Sequence, residues 1–208
     1  MLTRGKVPMT KEEVRWVSVN RLTVRPTYTV WDVGAGTGAV TLELARKASD
    51  GTVYAVERKP EAVALLHENR IKRGGYNVKI IEGPAPEALE NLPAPDCVFV
   101  GGSGGRMREI LELARENKVQ CIVVKDFSRF ARNYIEMGTY LEQIFPFLGV
   151  RFISISDRYD SKDYKGKSSD IEVQFKGLIA DFYVKDQSVK VKAAVSTRRG
   201  KGEYCCGS

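Results

Sequence analysis

The apolar run Tyr28-Thr-Val-Trp-Asp-Val33 stops abruptly in Gly34-Ala-Gly-Thr-Gly38, and an amphipathic stretch, Ala39–Lys47, follows directly. A buried strand that turns through glycines straight into a helix leaves few folds open to a chain. Glycine lets the backbone approach a ligand closely, and the helix behind it opens with free N–H groups. A second apolar run, Val53-Tyr-Ala-Val-Glu57, ends on a carboxylate nineteen residues after Gly38. An acidic residue at a strand tip in that position is placed to accept hydrogen bonds from a ribose diol.

The spacing is GxGxG, shorter than the GxGxxG of dinucleotide sites. Asp32-Val-Gly-Ala-Gly-Thr-Gly38 resembles motif I of class I S-adenosylmethionine-dependent methyltransferases, and that resemblance implies S-adenosylmethionine rather than a dinucleotide as the cofactor.

Along the chain, strand-like and helix-like segments alternate. A helix is expected over Lys11–Leu22, with Thr10 as N-cap and Glu13 completing a capping box. Strands follow at Tyr28–Val33, Thr52–Val56, Val78–Ile81, Asp96–Val100, Gln120–Lys125 and Gly149–Ile155. Between them lie helical stretches over Ala39–Lys47, from Pro60 to about Lys72, over Met107–Asn117 and over Asn133–Phe145. The polar segment Arg158–Ser169 reads as a mobile loop, and Ile171–Thr197 as one long helix with a basic outer face. This order implies an α/β fold, a Rossmann-like three-layer sandwich on a mostly parallel sheet of about six strands. Ligands in such sheets sit beyond the carboxyl ends of the strands.

Composition excludes several classes. With 43% hydrophobic and 28% charged residues, the chain resembles an ordinary soluble domain. No apolar run reaches the length of a membrane span, and the N-terminal stretch has no apolar signal core, so a cytoplasmic location is expected. Cys97, Cys121, Cys205 and Cys206 have no metal-ligand spacing, and no metal is expected. The single histidine, His67, reads as a surface residue and argues against histidine-dependent mechanisms. The net charge is +7, with much of the excess between Lys185 and Lys201. That basic tail reads either as a nucleic-acid patch or as a solvated helix face.

Residues 1 to about 113 resemble one family over several motifs in order. These are Gly5-Lys-Val-Pro-Met-Thr-Lys-Glu-Glu-Val-Arg15, Asp32-Val-Gly-Ala-Gly-Thr-Gly38, Val53-Tyr-Ala-Val-Glu-Arg58, Gly83-Pro-Ala-Pro-Glu-Ala-Leu89 and Val100-Gly-Gly-Ser-Gly-Gly105. The family is the CbiT-type decarboxylating precorrin methyltransferases of cobalamin synthesis. The resemblance implies that Gly34, Ala35, Gly36, Thr37, Gly38 and Glu57 meet the methionine and ribose parts of the cofactor. It also implies that Thr10 closes over the site, that the backbone near Ala85 faces the adenine, and that Gly101, Gly102, Ser103 and Gly104 line the tetrapyrrole side. Pro84 stands where the family usually has an acidic residue, which removes one polar contact near the adenine. Arg58, Arg106 and Arg108 are candidates for holding a polycarboxylate substrate. No residue is singled out as catalytic, because methyl transfer from a sulfonium needs mainly alignment.

After Leu113 the continuation expected of that family is missing. Glu112–Asn133, including Ser128-Arg-Phe-Ala-Arg132, resembles the catalytic domain of large serine recombinases, as do Tyr140–Ile155 and Asp157–Ser161. The resemblance implies phosphate binding by Arg129 and Arg132. The nucleophilic serine of that family lies on its first strand, which has no counterpart here, so strand transfer is not expected. The chain reads as a single hybrid α/β domain over 1–208, with a cofactor-binding half at 1–113 and a recombinase-like half at 114–208. It is thus a chimera, built deliberately or by natural fusion, and the trailing Gly207-Ser208 looks like a cloning remnant. The expected function is cofactor binding with impaired methyl transfer. Weak DNA binding through the basic half, or an inactive scaffold, are the alternatives; homo-oligomer formation is left open.

Overall fold

Strand β1 (Thr29–Val33) is buried along Val30, Trp31, Asp32 and Val33, so both faces of the sheet are covered at its centre. Near-continuous apolar runs are what a parallel sheet between two helical layers requires. The computed structural model describes residues 2, 3, 5, 7, 9–116, 119–127, 138–164 and 195. Two compact units divide the chain, Met1–Asp163 and Tyr164–Ser208. Every strand named here belongs to the first.

Strands β2 (Thr52–Glu57), β3 (Val78–Glu82), β4 (Cys97–Val100), β5 (Cys121–Val124), β6 (Arg151–Ser154) and β7 (Tyr159–Asp160) complete the sheet. Their order is β3-β2-β1-β4-β5-β6-β7. All pairings are parallel except that of β6 with β7. The expectation of a mostly parallel α/β sheet holds, with one strand more than the sequence suggested. Chain order reverses at β1, which lies between β2 and β4, and a crevice at such a switch point is where ligands enter α/β sheets.

The helices follow from local chemistry. In α2 (Ala39–Lys47) Ala39, Val40, Thr41, Leu42, Leu44 and Ala45 are buried, while Arg46 and Lys47 stand in the last turn, where cations suit the helix dipole. Helix α3 (Pro60–Arg73) starts with proline in its first turn and ends at Gly74, as expected. Helix α4 (Met107–Glu116) leads into β5. Helix α1 (Glu12–Arg21) departs from expectation: it starts after Lys11 and has no side-chain cap. The carbonyl of Thr10 instead accepts a 2.7 Å hydrogen bond from Nη1 of the buried Arg15. That contact draws Thr10 away from the capping position.

The sheet runs unbroken across residue 113. Cys97 of β4 is in register with Cys121 of β5, and Cys121 with Arg151 of β6. An aromatic cluster packs this side: Phe145 stacks on Phe152 at 5.2 Å between centroids, and Phe127 lies 5.5 Å from Tyr159. The expected helix over Asn133–Phe145 is seen in part, as π-helical Tyr140–Ile144 followed by α-helical Phe145–Leu148. Residues 133–137 lie outside the described residues.

The reading of Arg158–Ser169 as a mobile loop is corrected over its first part. Tyr159–Asp160 form β7, and Ser161–Tyr164 a 3-10 turn. Asp160 is buried and accepts from Arg21 Nη1 at 3.1 Å, from Arg151 Nε and Nη2 at 3.0 and 2.6 Å, and from the Lys162 amide at 3.1 Å. A carboxylate held by a cation on the adjacent strand and by one from α1 fixes a stretch whose composition alone suggests a loop. Residues 165–169 and the expected 171–197 helix lie outside the described residues, as do Cys205 and Cys206.

Candidate active site

At the carboxyl ends of β1, β2 and β4 lies a cavity of about 390 Å³. Its floor is the turn after β1. The Gly34 and Ala35 amides donate to the Val56 carbonyl at 2.9 and 3.1 Å, holding that turn against β2. Gly34 has φ +74°, and a Cβ there would stand 2.5 Å from the Gly102 oxygen. The two glycine loops therefore touch backbone to backbone, a contact that any side chain would break. Gly38 does a different job: it precedes α2 at φ +79°, and a Cβ would stand 2.2 Å from Leu66 Cδ1. Among the expected cradle residues, Gly34, Ala35, Gly36 and Thr37 line the cavity and Gly38 does not.

Glu57, nearly buried at the tip of β2, has a carboxylate held by three backbone amides. Its Oε2 accepts from Gly36 at 2.8 Å, and its Oε1 accepts from Arg58 and Lys59 at 2.9 and 3.0 Å. A carboxylate offers about four acceptor positions, so Oε2 retains capacity for a hydroxyl.

Asp32 forms part of the wall and was not among the residues expected from sequence. It is buried; Oδ2 accepts from the Thr41 hydroxyl at 2.6 Å, and Oδ1 has no partner. Burial pushes its pKa up to about 7, the Thr41 hydrogen bond pulls it back in part, and the Glu57 charge adds to the rise. An orphaned, desolvated acceptor costs free energy unless a donor arrives. A carboxylate inside a strand carrying β-branched and aromatic neighbours was the signal available in the sequence.

The rest of the lining comes from four segments. Val7, Met9 and Thr10 reach over from the N-terminal side, and Gly83, Pro84 and Ala85 come from the loop after β3. Gly101, Gly102, Ser103 and Gly104 follow β4, and Lys125 follows β5. Thr10, Ala85 and the Gly101–Gly104 residues thus share one cavity with the turn after β1. Arg129 and Arg132 lie outside the described residues.

The basic residues divide into two groups. Arg106 lines the cavity but is paired with Glu87, and with Glu109 at 3.4 Å. Arg108 is paired with Glu112 at 3.1 Å and does not line the cavity. Both therefore lose ground as substrate-holding candidates. The Arg58 guanidinium lies against Gly104, where an added Cβ would stand 3.3 Å from Nη1. Among the described residues, neither Arg58 nor Lys125 has a side-chain acceptor, and both line the cavity. Lys125 escaped sequence reasoning because only the packing of β5 beside β4 brings it to the crevice.

A family model described as a precorrin methyltransferase domain matches residues 4–126, and one described as a resolvase N-terminal domain matches residues 100–204. A Pyrobaculum calidifontis protein named as a probable cobalt-precorrin-6B C(15)-methyltransferase (decarboxylating) is 42% identical over 122 residues, covering 58% of this chain and 63% of that protein. The Salmonella typhimurium cobalt-precorrin-6B C(15)-methyltransferase is 40% identical over 115 residues, covering 55% and 59%. This chain thus spans less than two thirds of these relatives' length. A solved precorrin-6y C5,15-methyltransferase from Geobacter metallireducens shares the fold with a TM-score of 0.56 and 35% identity, covering 59% of this chain and 67% of that one. Among the described residues no helix is long and apolar enough to cross a membrane.

Proposed function

The chain belongs to the precorrin methyltransferase domain family over residues 4–126, and from that premise we propose that its cavity binds S-adenosylmethionine and directs methyl transfer to an anionic acceptor. The observation that carries this reading is the pair of carboxylates at the turn after β1. Glu57 is fixed by three amides with acceptor capacity to spare, and Asp32 presents an unpartnered Oδ1.

Those residues fit the cofactor's chemistry. Glu57 Oε2 would accept from a ribose hydroxyl, and Asp32 would hold the ammonium of the methionine part. Gly34–Thr37 would let the backbone approach the cofactor, and the backbone at Ala85 would border the adenine. When bound, the cofactor supplies an electrophilic methyl group on a sulfonium. Thr10, Met9 and Val7 cover the cavity and keep water from it, while Arg58 and Lys125 hold the acceptor's anionic group on the Gly104 side. Alignment of donor and acceptor is what such a transfer chiefly needs, and the walls described here supply it without a nucleophile.

The acceptor of the relatives, a cobalt-precorrin, is the reference acceptor for this chain. Its fit depends on the segment after residue 113, which we read as a serine-recombinase-like half joined to the methyltransferase half in one hybrid domain, most simply an engineered chimera. The two family matches overlap over residues 100–126, where α4 and β5 lie. A helix feeding a parallel strand is a joint that both halves accommodate.

Calorimetric titration with S-adenosylhomocysteine tests the cofactor reading. Saturable binding with one site per chain is expected, and no heat at millimolar ligand in folded protein would sink it. The resolvase match and the basic stretch Lys185–Lys201 support a second reading, DNA binding through the C-terminal half. That reading requires a complex at low salt that weakens steeply as salt rises; no gel shift at low salt removes it.

A further inference from the structure

Asn69 lies on α3, completely buried and away from the cavity lining. Its side-chain amide joins two segments that both bound the cavity. Oδ1 accepts from the Thr3 amide at 2.7 Å, while Nδ2 donates to the Thr3 carbonyl at 2.9 Å and to the Thr37 carbonyl at 2.9 Å. Both donors of the amide are therefore committed, one to each segment. Thr37 belongs to the turn after β1. Thr3 heads the N-terminal segment that carries Val7, Met9 and Thr10 to the cavity.

That segment is fastened at both ends. At Thr3, Oγ1 donates to Glu68 at 2.8 Å and accepts from Lys72 Nζ at 2.9 Å, both on α3. At Thr10 the carbonyl accepts from Arg15. Between them Gly5 lies so close to α3 that a Cβ would stand 3.0 Å from Leu65 Cδ1. A shift of the segment therefore pulls on Asn69, and Asn69 pulls on Thr37. Burying an amide in apolar surroundings is costly unless every group is satisfied, so moving either segment leaves Asn69 with a buried, unpaired donor or acceptor.

We infer that Asn69 is a positioning residue that couples the seating of the N-terminal segment over the cavity to the conformation of the turn after β1. Ligand in the cradle and the segment closed over it then favour each other, a coupling that is reciprocal by linkage. The identity of that ligand as the methyl donor rests on the function proposed above; the coupling itself resides in the free protein.

Hydrogen exchange of peptides covering 2–11 and 33–40, with calorimetry of S-adenosylhomocysteine, tests this on wild type, Thr3→Pro and Asn69→Ala. Thr3→Pro removes the N–H that donates to Oδ1, together with the hydroxyl contacts to Glu68 and Lys72, and leaves the Asn69–Thr37 contact chemically intact. The expected result is severalfold faster exchange in both peptides and roughly fivefold to tenfold weaker binding, with Asn69→Ala acting the same way and more strongly. Faster exchange confined to 2–11, with binding within twofold of wild type, overturns the coupling. A wild type that binds no S-adenosylhomocysteine defeats the functional reading instead, and exchange in ligand-free protein then decides the coupling by the same criterion. Should Asn69→Ala fail to fold, Thr3→Pro decides alone.

Discussion

The amide of Gly36 donates to Oε2 of Glu57 across 2.8 Å, so the turn after β1 is bolted to the tip of β2 before any ligand arrives. Replacing the carboxylate with a methyl group leaves the Gly36, Arg58 and Lys59 amides without it. A buried amide left unpaired costs about 1–3 kcal/mol, and these part-buried amides cost less where water replaces the carboxylate. Glu57→Ala should lower the melting temperature by several degrees and weaken S-adenosylhomocysteine more than tenfold, read by differential scanning calorimetry and titration.

Gly36 has φ +58°, a region that side-chain-bearing residues rarely enter. Gly36→Val should abolish cofactor binding in a protein that still folds. Arg129→Ala, in the recombinase-like half, should bind the cofactor as wild type does. Equal loss in both variants would contradict the placement of the cradle.

Asp32 sets a pH dependence. Its folded pKa of about 7 lies above the ordinary aspartate value of 3.8, so the folded state binds the extra proton between those values. Ligand-free stability should therefore rise as pH falls from about 8 towards 5, by a few kcal/mol at most. Asp32→Asn should flatten that rise in urea titrations across the same range. A wild-type profile already flat between pH 5 and 8 would refute the assignment. Cofactor affinity should run the opposite way, falling below pH 7 as Oδ1 loses its charge.

Asp160 gives the opposite sign. Burial pushes its pKa up, but Arg151, the Lys162 amide and Arg21 outweigh burial and hold the carboxyl below the usual range. Its contribution is present above pH 4 or so and fades as acid titrates it. Removing one partner of a buried pair is costly because the other charge is stranded. Asp160→Ala should destabilise by roughly 2–4 kcal/mol at pH 7, with a smaller loss at pH 3. Chemical denaturation at the two pH values measures both.

Cys97 and Cys121 face each other in register on β4 and β5. Burial pushes the Cys121 thiol up to about 12 and raises Cys97 as well. Neither should react with a thiol reagent at pH 8 until denaturant is added, as peptide mapping by mass spectrometry will show. Rapid labelling of either in native protein would mean the β4–β5 core is open.

Periodicity and punctuation made β1 to β6 legible, because the central strands are apolar runs and β1, β3 and β4 end at Gly34, Gly83 and Gly101. β7 was hidden because two residues, Tyr159 and Asp160, owe their strand to Arg151 on the neighbouring β6 and to Arg21, which lies far away in sequence. The turn after β1 and Glu57 could be read from spacing alone. Asp32 and Lys125 could not, since their importance comes from burial and from strand order. Arg106 and Arg108 looked available only because the sequence does not display Glu87, Glu109 and Glu112 beside them.

The sheet order carries a consequence for how such a protein can change. β1, β2 and β4 hold the cradle, whereas β5, β6 and β7 are added along one edge, and among the described residues Lys125 is what that edge brings to the cavity. The first unit is thus divided into a socket and an edge attached beside it. A different fragment that supplies a helix and an edge strand would change that wall of the cavity and leave the turn after β1 and the tip of β2 untouched.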